Sequence, residues 1–477
     1  MNSFSGHFAG QSQQMLARST HATLCMACVA VGAALYYSPF LSIGVAAFYS
    51  FFSAIVCLAA AASISNKEQS WLFWFTVTYF LFYQFGTIAG TLLGGFDESF
   101  VNHRTNFSND ITDDAIARSY VVSGACIALI WLFAGYFHIH PPKREIPFHK
   151  PMYQLGLILL TLSTPIILYS LIEQINLIRQ QGYAFLYTSG FQDQRSSIPG
   201  LSIISNINTL SFLMIFASMP SRKRFFYTAG LFLLISFTDS LKGARSALII
   251  PWIFIIWHAS IYYGFRLRLR RSILYTIAVF AILFYGQITR GEEGDIGMYL
   301  LERFITIDMS KAQHTLAVVL DNYDNVEVRS IFAFEPLVFP VQFLQHGSAV
   351  VGQSETTAIL RGDLNHTFSS YLNYGAYISG AGLGSAFAAE AFQFGFTSML
   401  LFIPIWYIFF RSFLSGRLGA YRILLLIQPI IFMHVVFSPR GTIFPATWPV
   451  LKILIMYLAI IVLVQILPKK PLAPRKV

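Results

Sequence analysis

The sequence has very little charge. Only 11% of its 477 residues are Asp, Glu, Lys or Arg, whereas 55% are hydrophobic and 46 residues are Phe. A soluble protein carries roughly 25% charged residues. So small a polar fraction cannot cover a soluble globule of this length, and lipid must be the solvent for much of the chain. The composition excludes a soluble enzyme and predicts a polytopic membrane protein.

Cysteine is scarce as well, and all four cysteines lie inside apolar runs. Cys25 and Cys28 form a single C-x-x-C motif with no second pair, so we interpret them, with Cys57 and Cys126, as small packing residues. The sequence contains no cluster of residues with metal-ligand spacing. We therefore expect neither a metal nor another cofactor.

Long apolar runs are abundant, and about 20 apolar residues suffice for a helix to cross a bilayer. We predict an all-α protein of a single membrane domain, 1–477, with about 12 transmembrane helices. A large loop, 291–389, separates the ninth and tenth spans, and its apolar island 331–344 is too short to cross, which predicts an interfacial or short packed helix. The runs lie near 20–37, 40–64, 71–94, 119–138, 152–172, 200–219, 225–241, 246–264, 273–289, 390–410, 423–438 and 443–467.

The basic residues are concentrated on one side of these predicted spans. With the N-terminus in the cytoplasm, Arg18, the alternate loops and the C-terminal tail hold 19 of the 32 Lys and Arg residues but only two of the 22 acidic residues. Cytoplasmic loops of membrane proteins are enriched in Lys and Arg in this way. We therefore predict that both termini are cytoplasmic and that the large loop lies on the outer face. The net charge of +10 needs no nucleic-acid partner.

Three arginines depart from this pattern because they lie on the outer face, at the ends of predicted spans. Arg245 lies in "SLKGARSAL", Arg290 in "GQITRGEEG" and Arg440 in "VFSPRGTIF", each close to a glycine. An arginine fork binds phosphate through two hydrogen bonds, and glycine lets a ligand approach closely. These arginines, with Lys242 of the same hairpin as Arg245, are candidates to bind a lipid-linked pyrophosphate. The alternative is that each one reaches lipid headgroups or a local acidic residue.

The large loop carries further candidates around "YISGAGLGSAFAAEAFQFG", residues 377–395. Arg361, Asp363 and His366 precede the glycines, and an imidazole that titrates near neutrality is suited to accept the proton of a sugar hydroxyl. Glu390 lies where a span is predicted to begin, and carboxylates at such positions are usually paired or functional. No strand precedes the glycines, so the stretch lacks the context of a dinucleotide-binding loop. Close backbone packing and close ligand approach remain as its two interpretations.

Taken together, these features resemble the O-antigen polymerases of the Wzy type, and the resemblance covers the second half of the chain. It rests on the order and topology of five segments: "GARSAL" (243–248), "ITRG" (288–291), "LNHTFSSYLN" (364–373), "GAGLGSAFAAEAFQFG" (380–395) and "SPRG" (438–441).

The resemblance implies a glycosyltransferase of the bacterial inner membrane, GT-C-like in fold, with a large periplasmic loop. Donor and acceptor would be oligosaccharide repeat units on undecaprenyl pyrophosphate, and a chain-length regulator (a polysaccharide co-polymerase) would be its partner. Arg290, Arg245 and Arg440 would stabilise the leaving pyrophosphate, and His366 or Glu390 would accept the proton. The alternatives are an O-antigen ligase, which transfers the polymer to lipid A–core, and a polysaccharide flippase.

Overall fold

The computed structural model describes residues 2–63, 70–86, 111–136, 146–181, 200–242, 246–265, 310–328, 330–414, 421–445 and 447–466. These residues form helices joined by turns, and no β-strand occurs among them. The prediction of an all-α protein is confirmed for this part of the chain.

Eight of the described α-helices lie within the first 265 residues, and α3 continues into a π-helical turn, Leu81–Phe85. The eight are α1 (Asn2–Tyr36), α2 (Ile43–Ser63), α3 (Ser70–Phe80), α4 (Asp113–Tyr136), α5 (Lys150–Gln181), α6 (Leu201–Ala217), α7 (Arg222–Ser240) and α8 (Ser246–Tyr263).

Nine further α-helices follow in the described residues after 310, where short helices precede three long apolar ones. They are α9 (Lys311–Asn322), α10 (Glu335–His346), α11 (Glu355–Leu360), α12 (Leu364–Leu372), α13 (Tyr374–Ile378), α14 (Phe387–Ala391), α15 (Phe396–Leu414), α16 (Arg422–Phe437) and α17 (Thr447–Ile466). The apolar island 331–344 thus forms a 3₁₀ turn and most of α10, which confirms the predicted short helix.

Six segments of the described helices are long and apolar enough to cross a membrane: Ser19–Tyr36, Ile43–Ala61, Asp113–Tyr136, Lys150–Gln181, Phe396–Leu414 and Arg422–Arg440. Three shorter apolar segments lie in α6, α8 and α17. The run expected near 273–289 and part of the run near 71–94 lie outside the described residues. A polytopic membrane protein is thus supported, while the number of twelve spans stays a prediction.

The span predicted near 390–410 begins later than expected. α14 ends at Ala391, and the chain then turns through Gly395, whose φ of 75° lies in the left-handed region that favours glycine. The apolar helix that follows starts at Phe396, so Glu390 precedes the span and lies on a separate short helix. The expectation that Glu390 lies at the start of the span is corrected accordingly.

Helix α4 is the centre of a first group of helices, in which α1 and α2 pack on it. In its membrane-span segment, 83% is buried, against 22% for Ser19–Tyr36, because α1, α2, α9 and α15 all pack on α4. Small residues allow this approach: a Cβ on Gly124 would lie 2.8 Å from the ring of Tyr49. The four cysteines are buried free thiols, which confirms that they pack between helices.

A second group consists of α5 to α8, and α16 joins the two groups because it packs on α3 and α15 as well as on α6 and α8. The segment 310–391, which contains residues 310–389 of the predicted large loop, rests on both α4 and α17: α9 packs on α4, and α10 packs on α17. The helix groups therefore form the base on which the candidate site is built.

Candidate functional site

The glycine-rich stretch 380–385 runs against one face of α12. The backbone N–H of Gly384 donates to Asn365 Oδ1 (2.7 Å), and that of Leu383 donates to Ser369 Oγ (2.9 Å). A Cβ on Gly382 would lie only 2.8 Å from Asn365 Oδ1. Of the two interpretations of this stretch, the geometry supports close packing of its backbone against a neighbouring helix.

Arg361 is the centre of a buried ion-pair network beside this stretch. Its Nε and Nη2 donate to the two oxygens of Glu335 at 3.0 and 3.1 Å, and Nη2 also lies 2.9 Å from Asp363 Oδ2. The guanidinium carbon lies 4.6 Å from the centroid of the Phe339 ring. Only 2% of the Glu335 side chain is exposed, so its charge depends on this two-point contact, since a buried carboxylate without a partner is strongly unfavourable.

Asp363 connects this network to His366. Its Oδ1 accepts the backbone N–H of His366 (2.9 Å) and so caps α12, while its Oδ2 lies 3.6 Å from His366 Nε2. On the other side of the ring, His366 Nδ1 lies 2.7 Å from the hydroxyl of Tyr377 on α13. The imidazole is therefore fixed between a carboxylate and a phenol. A carboxylate next to histidine orients the ring and stabilises the imidazolium that forms when the ring accepts a proton.

The protonation states follow from burial and from the neighbouring charges. Burial lowers the pKa of His366; Asp363 opposes this shift, and Arg361 adds to it. Burial raises the pKa of Tyr377 to about 12. Burial also raises the pKa of Glu335, with a further contribution from the charge of Asp363, whereas Arg361 acts in the opposite direction. At neutral pH the imidazole is thus neutral, the form that can accept a proton, and the phenol keeps its proton.

Glu390 is fully buried and joins the glycine-rich stretch to a distant turn. The hydroxyl of Ser385 donates to its Oε1, and the backbone N–H of Ile443 donates to its Oε2 at 2.8 Å. Burial raises the pKa of Glu390 well above its usual range, the two hydrogen bonds oppose this shift, and the charges of Asp363 and Glu335 add to it. Both carboxyl oxygens are engaged by the protein, so the geometry suits a residue that positions the loop.

Arg440 lies in the turn Ser438–Arg440, which packs on α14, the helix that carries Glu390. The arginine is half-buried, with its guanidinium carbon 5.8 Å from the centroid of the Phe82 ring. The structure therefore brings the segments of two predicted site residues, Glu390 and Arg440, together.

Lys242 lies in the second helix group, at the end of α7. Its Nζ donates to Gln174 Oε1 (3.1 Å) and forms an ion pair with Asp239. All three side chains line a cavity of about 280 Å³ between α5, α6 and α7. The cavity lining is half apolar and half polar, and the charge of Lys242 is paired with Asp239. Two other predicted members of the anion site, Arg245 and Arg290, lie outside the described residues.

A larger cavity, of about 500 Å³, opens beside Arg361. Its wall on α12 consists of Thr367, Ser370 and Tyr371, so it runs along the helix that carries His366. The rest of the lining combines apolar residues such as Ile359 with polar ones, among them Glu327, Gln342, Glu355 and Tyr374.

Sequence reasoning placed Arg361, Asp363 and His366 near one another but missed the role of Glu335 and Tyr377. Glu335 is 26 residues from Arg361 in sequence, and Tyr377 is 11 residues from His366. A signal for Glu335 was present, because it is the lone carboxylate within the apolar island "IFAFEPLVFPVQFL". An acidic residue in such an island predicts a buried cationic partner.

A comparison with protein families identifies the family of this chain, and the match includes the first half of the chain as well as the second. The family model of the O-antigen polysaccharide polymerase Wzy matches residues 23–471, nearly the whole chain. The chain belongs to this family. No curated protein and no solved structure is significantly similar to it. Membership in the Wzy family makes the chain a membrane protein of O-antigen biosynthesis, with the family's general activity of polymerising O-antigen polysaccharide.

Proposed function

We propose that this Wzy-family protein joins oligosaccharide repeat units carried on undecaprenyl pyrophosphate, at the periplasmic face of the inner membrane. The proposal includes cytoplasmic termini, and a chain-length regulator as partner. The observation that carries it is the folded, charged segment 310–391, which rests on apolar helices and holds His366 between Asp363 and Tyr377. The concentration of basic residues in the alternate loops supports the placement of this segment outside the cytoplasm.

In the proposed reaction a hydroxyl oxygen of the acceptor sugar forms a bond to the anomeric carbon of the donor. The bond from that carbon to the pyrophosphate breaks, and its electron pair leaves with the lipid pyrophosphate. The hydroxyl proton moves to His366, and Asp363 stabilises the resulting imidazolium. The contact of Nε2 with Asp363, at 3.6 Å, is longer than a hydrogen bond, so Nε2 is the nitrogen with the weaker protein contact. We favour His366 over Glu390 as the proton acceptor because both oxygens of Glu390 accept hydrogen bonds from the protein.

The leaving pyrophosphate requires cations that face its developing charge. We propose Arg440, Arg245, Arg290 and Lys242 for this role, and for Arg290 a part in catalysis as well. Preorganised donors of this kind contribute about 3–4 kcal/mol each in other enzymes.

Arg290→Lys should then reduce polymer formation nearly as much as Arg290→Ala does, because lysine has no planar fork. Near-normal polymer from Arg290→Lys at a normal protein level would remove Arg290 from this role.

The proposed function is tested on the lipopolysaccharide of a strain that lacks the protein. A polymerase acts between export of the repeat unit and its transfer to lipid A–core, so its loss should remove only chain growth. A gel should show core carrying a single repeat unit, without the ladder of longer chains. Bare core together with carrier-linked polymer would indicate a ligase instead, and bare core with repeat units left on the cytoplasmic side would indicate a flippase.

The topology is tested separately with reporter fusions. Fusions at residues 145, 223, 268 and 417 should report the cytoplasm, and fusions at 105, 185 and 325 should report the periplasm. A fusion at 325 that reports the cytoplasm would contradict the proposed placement of the site.

A further inference from the structure

The cavity of about 500 Å³ beside Arg361 has the size of a small-molecule site, since such pockets span roughly 300–1,000 Å³. It lies between short helices of segment 310–391 and has room for a short saccharide rather than a polymer. Gln342 comes from α10, Glu355 from α11 and Ser370 from α12, so hydrogen-bonding groups line it from three sides. None of these side chains has a part in the proton transfer or the pyrophosphate contacts proposed above.

Two aromatic side chains at this cavity remain accessible although the segment around them is folded. Tyr371 at the end of α12 is 54% exposed, and Tyr374 at the start of α13 is 43% exposed. An aromatic face carries partial negative charge, so it attracts the positively polarised C–H groups on one face of a sugar ring, and a phenol adds a hydrogen-bonding group. Such exposed tyrosines beside a cavity of mixed polar and apolar lining are suited to hold a carbohydrate.

The charges around the cavity determine which sugar fits. Glu327 and Glu355 line it, and Glu335 and Asp363 lie directly behind Arg361. Arg361 is the one cation among the described lining residues, and its charge is engaged by two of these carboxylates. Among the described residues, four carboxylates thus outnumber one arginine. A sugar that carries a carboxylate would therefore be repelled.

Helix α10, which contributes to the cavity wall, has an exposed apolar face suited to contact lipid. Its exposed residues Leu337, Val338, Val341 and Leu344 follow the spacing of a single helix face, while Phe339 and Phe343 contact Trp448 of the apolar helix α17. A helix with an exposed apolar face beside an apolar helix is suited to lie in the interfacial plane of a membrane. Gln342 of the same helix lines the cavity. A sugar attached to a lipid carrier would be presented at this level.

We propose that this cavity is a saccharide subsite that binds a sugar of the repeat unit on Tyr371 and Tyr374 and selects a neutral or amino-substituted sugar over one with a carboxylate. The inference rests on the proposed function and deepens it by naming the class of sugar.

Direct binding to the purified full-length protein in detergent tests the subsite. The probe is the O-polysaccharide released by mild acid from the lipopolysaccharide of the same strain, and its matched counterpart is the same polysaccharide after oxidation of its primary hydroxyls to carboxylates. We expect Tyr371→Ala and Tyr374→Ala to weaken binding of the unoxidised probe at least about tenfold. Phe394→Ala, which removes a 55% exposed ring that lies three residues after the segment and does not line the cavity, should bind like the wild type.

The oxidised probe should bind at least about tenfold more weakly than the unoxidised one, and Glu355→Gln should reduce that difference. Equal binding of the two probes, or wild-type binding by both tyrosine variants, would overturn the subsite. The proposed function fails on a different result, bare core on the gel of the deletion strain, so the two failures are distinguishable. Wild-type protein that does not bind the released polysaccharide at all overturns the subsite alone.

Discussion

Two polar clusters in this chain are built in different ways. The loop cluster (Glu335, Arg361, Asp363, His366 and Tyr377) is assembled from segments far apart in sequence, as the 26 residues between Glu335 and Arg361 show. The helix cluster (Gln174, Asp239 and Lys242) also joins distant segments, since Lys242 and Gln174 are 68 positions apart, but its ion pair, Lys242 with Asp239, lies between residues three positions apart. In the loop cluster the cation is shared by two carboxylates, whereas in the helix cluster Lys242 is shared by one carboxylate and one amide beside a cavity.

This difference indicates that the loop cluster positions reacting groups, whereas the helix cluster binds a ligand. The charge of Arg361 is used to hold Glu335 and Asp363 in place, and Asp363 in turn orients His366. Lys242 pairs with one carboxylate instead of two, and this partner, Asp239, is 34% exposed at the side chain and therefore partly solvated. The loop cluster is thus suited to fix reacting groups, and the helix cluster is suited to receive an anion from outside the protein.

The largest expected effect comes from breaking the loop cluster at Arg361. Arg361→Met leaves Glu335 buried without its partner, which should destabilise the folded segment by about 3–5 kcal/mol. The double variant Arg361→Met, Glu335→Leu removes both charges and should recover most of that stability, because an apolar pair of similar volume often replaces a buried ion pair without loss. Thermal unfolding and limited proteolysis of the purified protein measure both changes.

Polymer formation should stay low in the double variant, because Asp363 has then lost the cation that holds it. If Arg361→Met alone is as stable as the wild type, the network does not hold the segment together. The matched change in the helix cluster, Lys242→Met, should leave stability within about 1 kcal/mol of the wild type, because its partner is partly exposed.

The sequence was sufficient for features that depend on composition and local spacing. The low charge predicted helices in lipid, the apolar island predicted a short helix, and the missing strand excluded a nucleotide loop. The pairing of Glu335 with Arg361 and of His366 with Tyr377 could not be predicted, because each depends on how α10, α12 and α13 pack. The start of α15 at Phe396 was also missed, because Gly395 interrupts a run of apolar residues that hydropathy alone treats as continuous.

The second effect is a pH dependence that belongs to the loop cluster alone. Polymerisation by the purified protein should fall as the pH falls through the lowered pKa of His366, because the protonated ring cannot accept another proton. Asp363→Asn keeps an oxygen that caps α12 but removes the charge that raises this pKa, so the acidic limb of the profile should move to lower pH. The other ionisable groups of the cluster, Glu335, Arg361 and Tyr377, are not substituted in this variant, although loss of the Asp363 charge lowers the pKa of Glu335 and of Tyr377.

His366→Asn should reduce the rate by at least about a hundredfold, as loss of a general base usually does. An acidic limb that stays in place in Asp363→Asn would show that His366 does not set it. Lys242→Met should leave the acidic limb where it is in the wild type, because Lys242 belongs to the other cluster.

A smaller effect is expected at the helix cluster. Lys242→Met should raise the KM for the lipid-linked donor about tenfold, while kcat changes less, since the lysine is proposed to bind the anion rather than to transfer a proton. Asp239→Asn is the matched control: it removes the competing carboxylate and should leave the KM equal to or below that of the wild type. A KM for the donor that Lys242→Met leaves unchanged would exclude Lys242 from the pyrophosphate site.

The smallest effect tests whether the glycine-rich stretch supports only the loop cluster. In Gly382→Ala the new Cβ would lie 2.8 Å from Asn365 Oδ1 and 3.1 Å from Gln353 Nε2, so side chains on α12 and in the preceding turn must shift. Overpacking of this kind destabilises by about 1–3 kcal/mol. Gly375→Ala is the matched control in the same segment, because its Cβ would meet only Asn373 Oδ1, at an ordinary 3.7 Å.

Gly382→Ala should lower thermal stability and shorten the polymer ladder, while Gly375→Ala should do neither. Because Asn365 directly precedes His366 on α12, the shift reaches the loop cluster but not Lys242, and the KM for the donor should stay at its wild-type value. A raised KM in Gly382→Ala would show that the two clusters are coupled. The assignment of positioning to the loop cluster and of anion binding to the helix cluster would then be wrong.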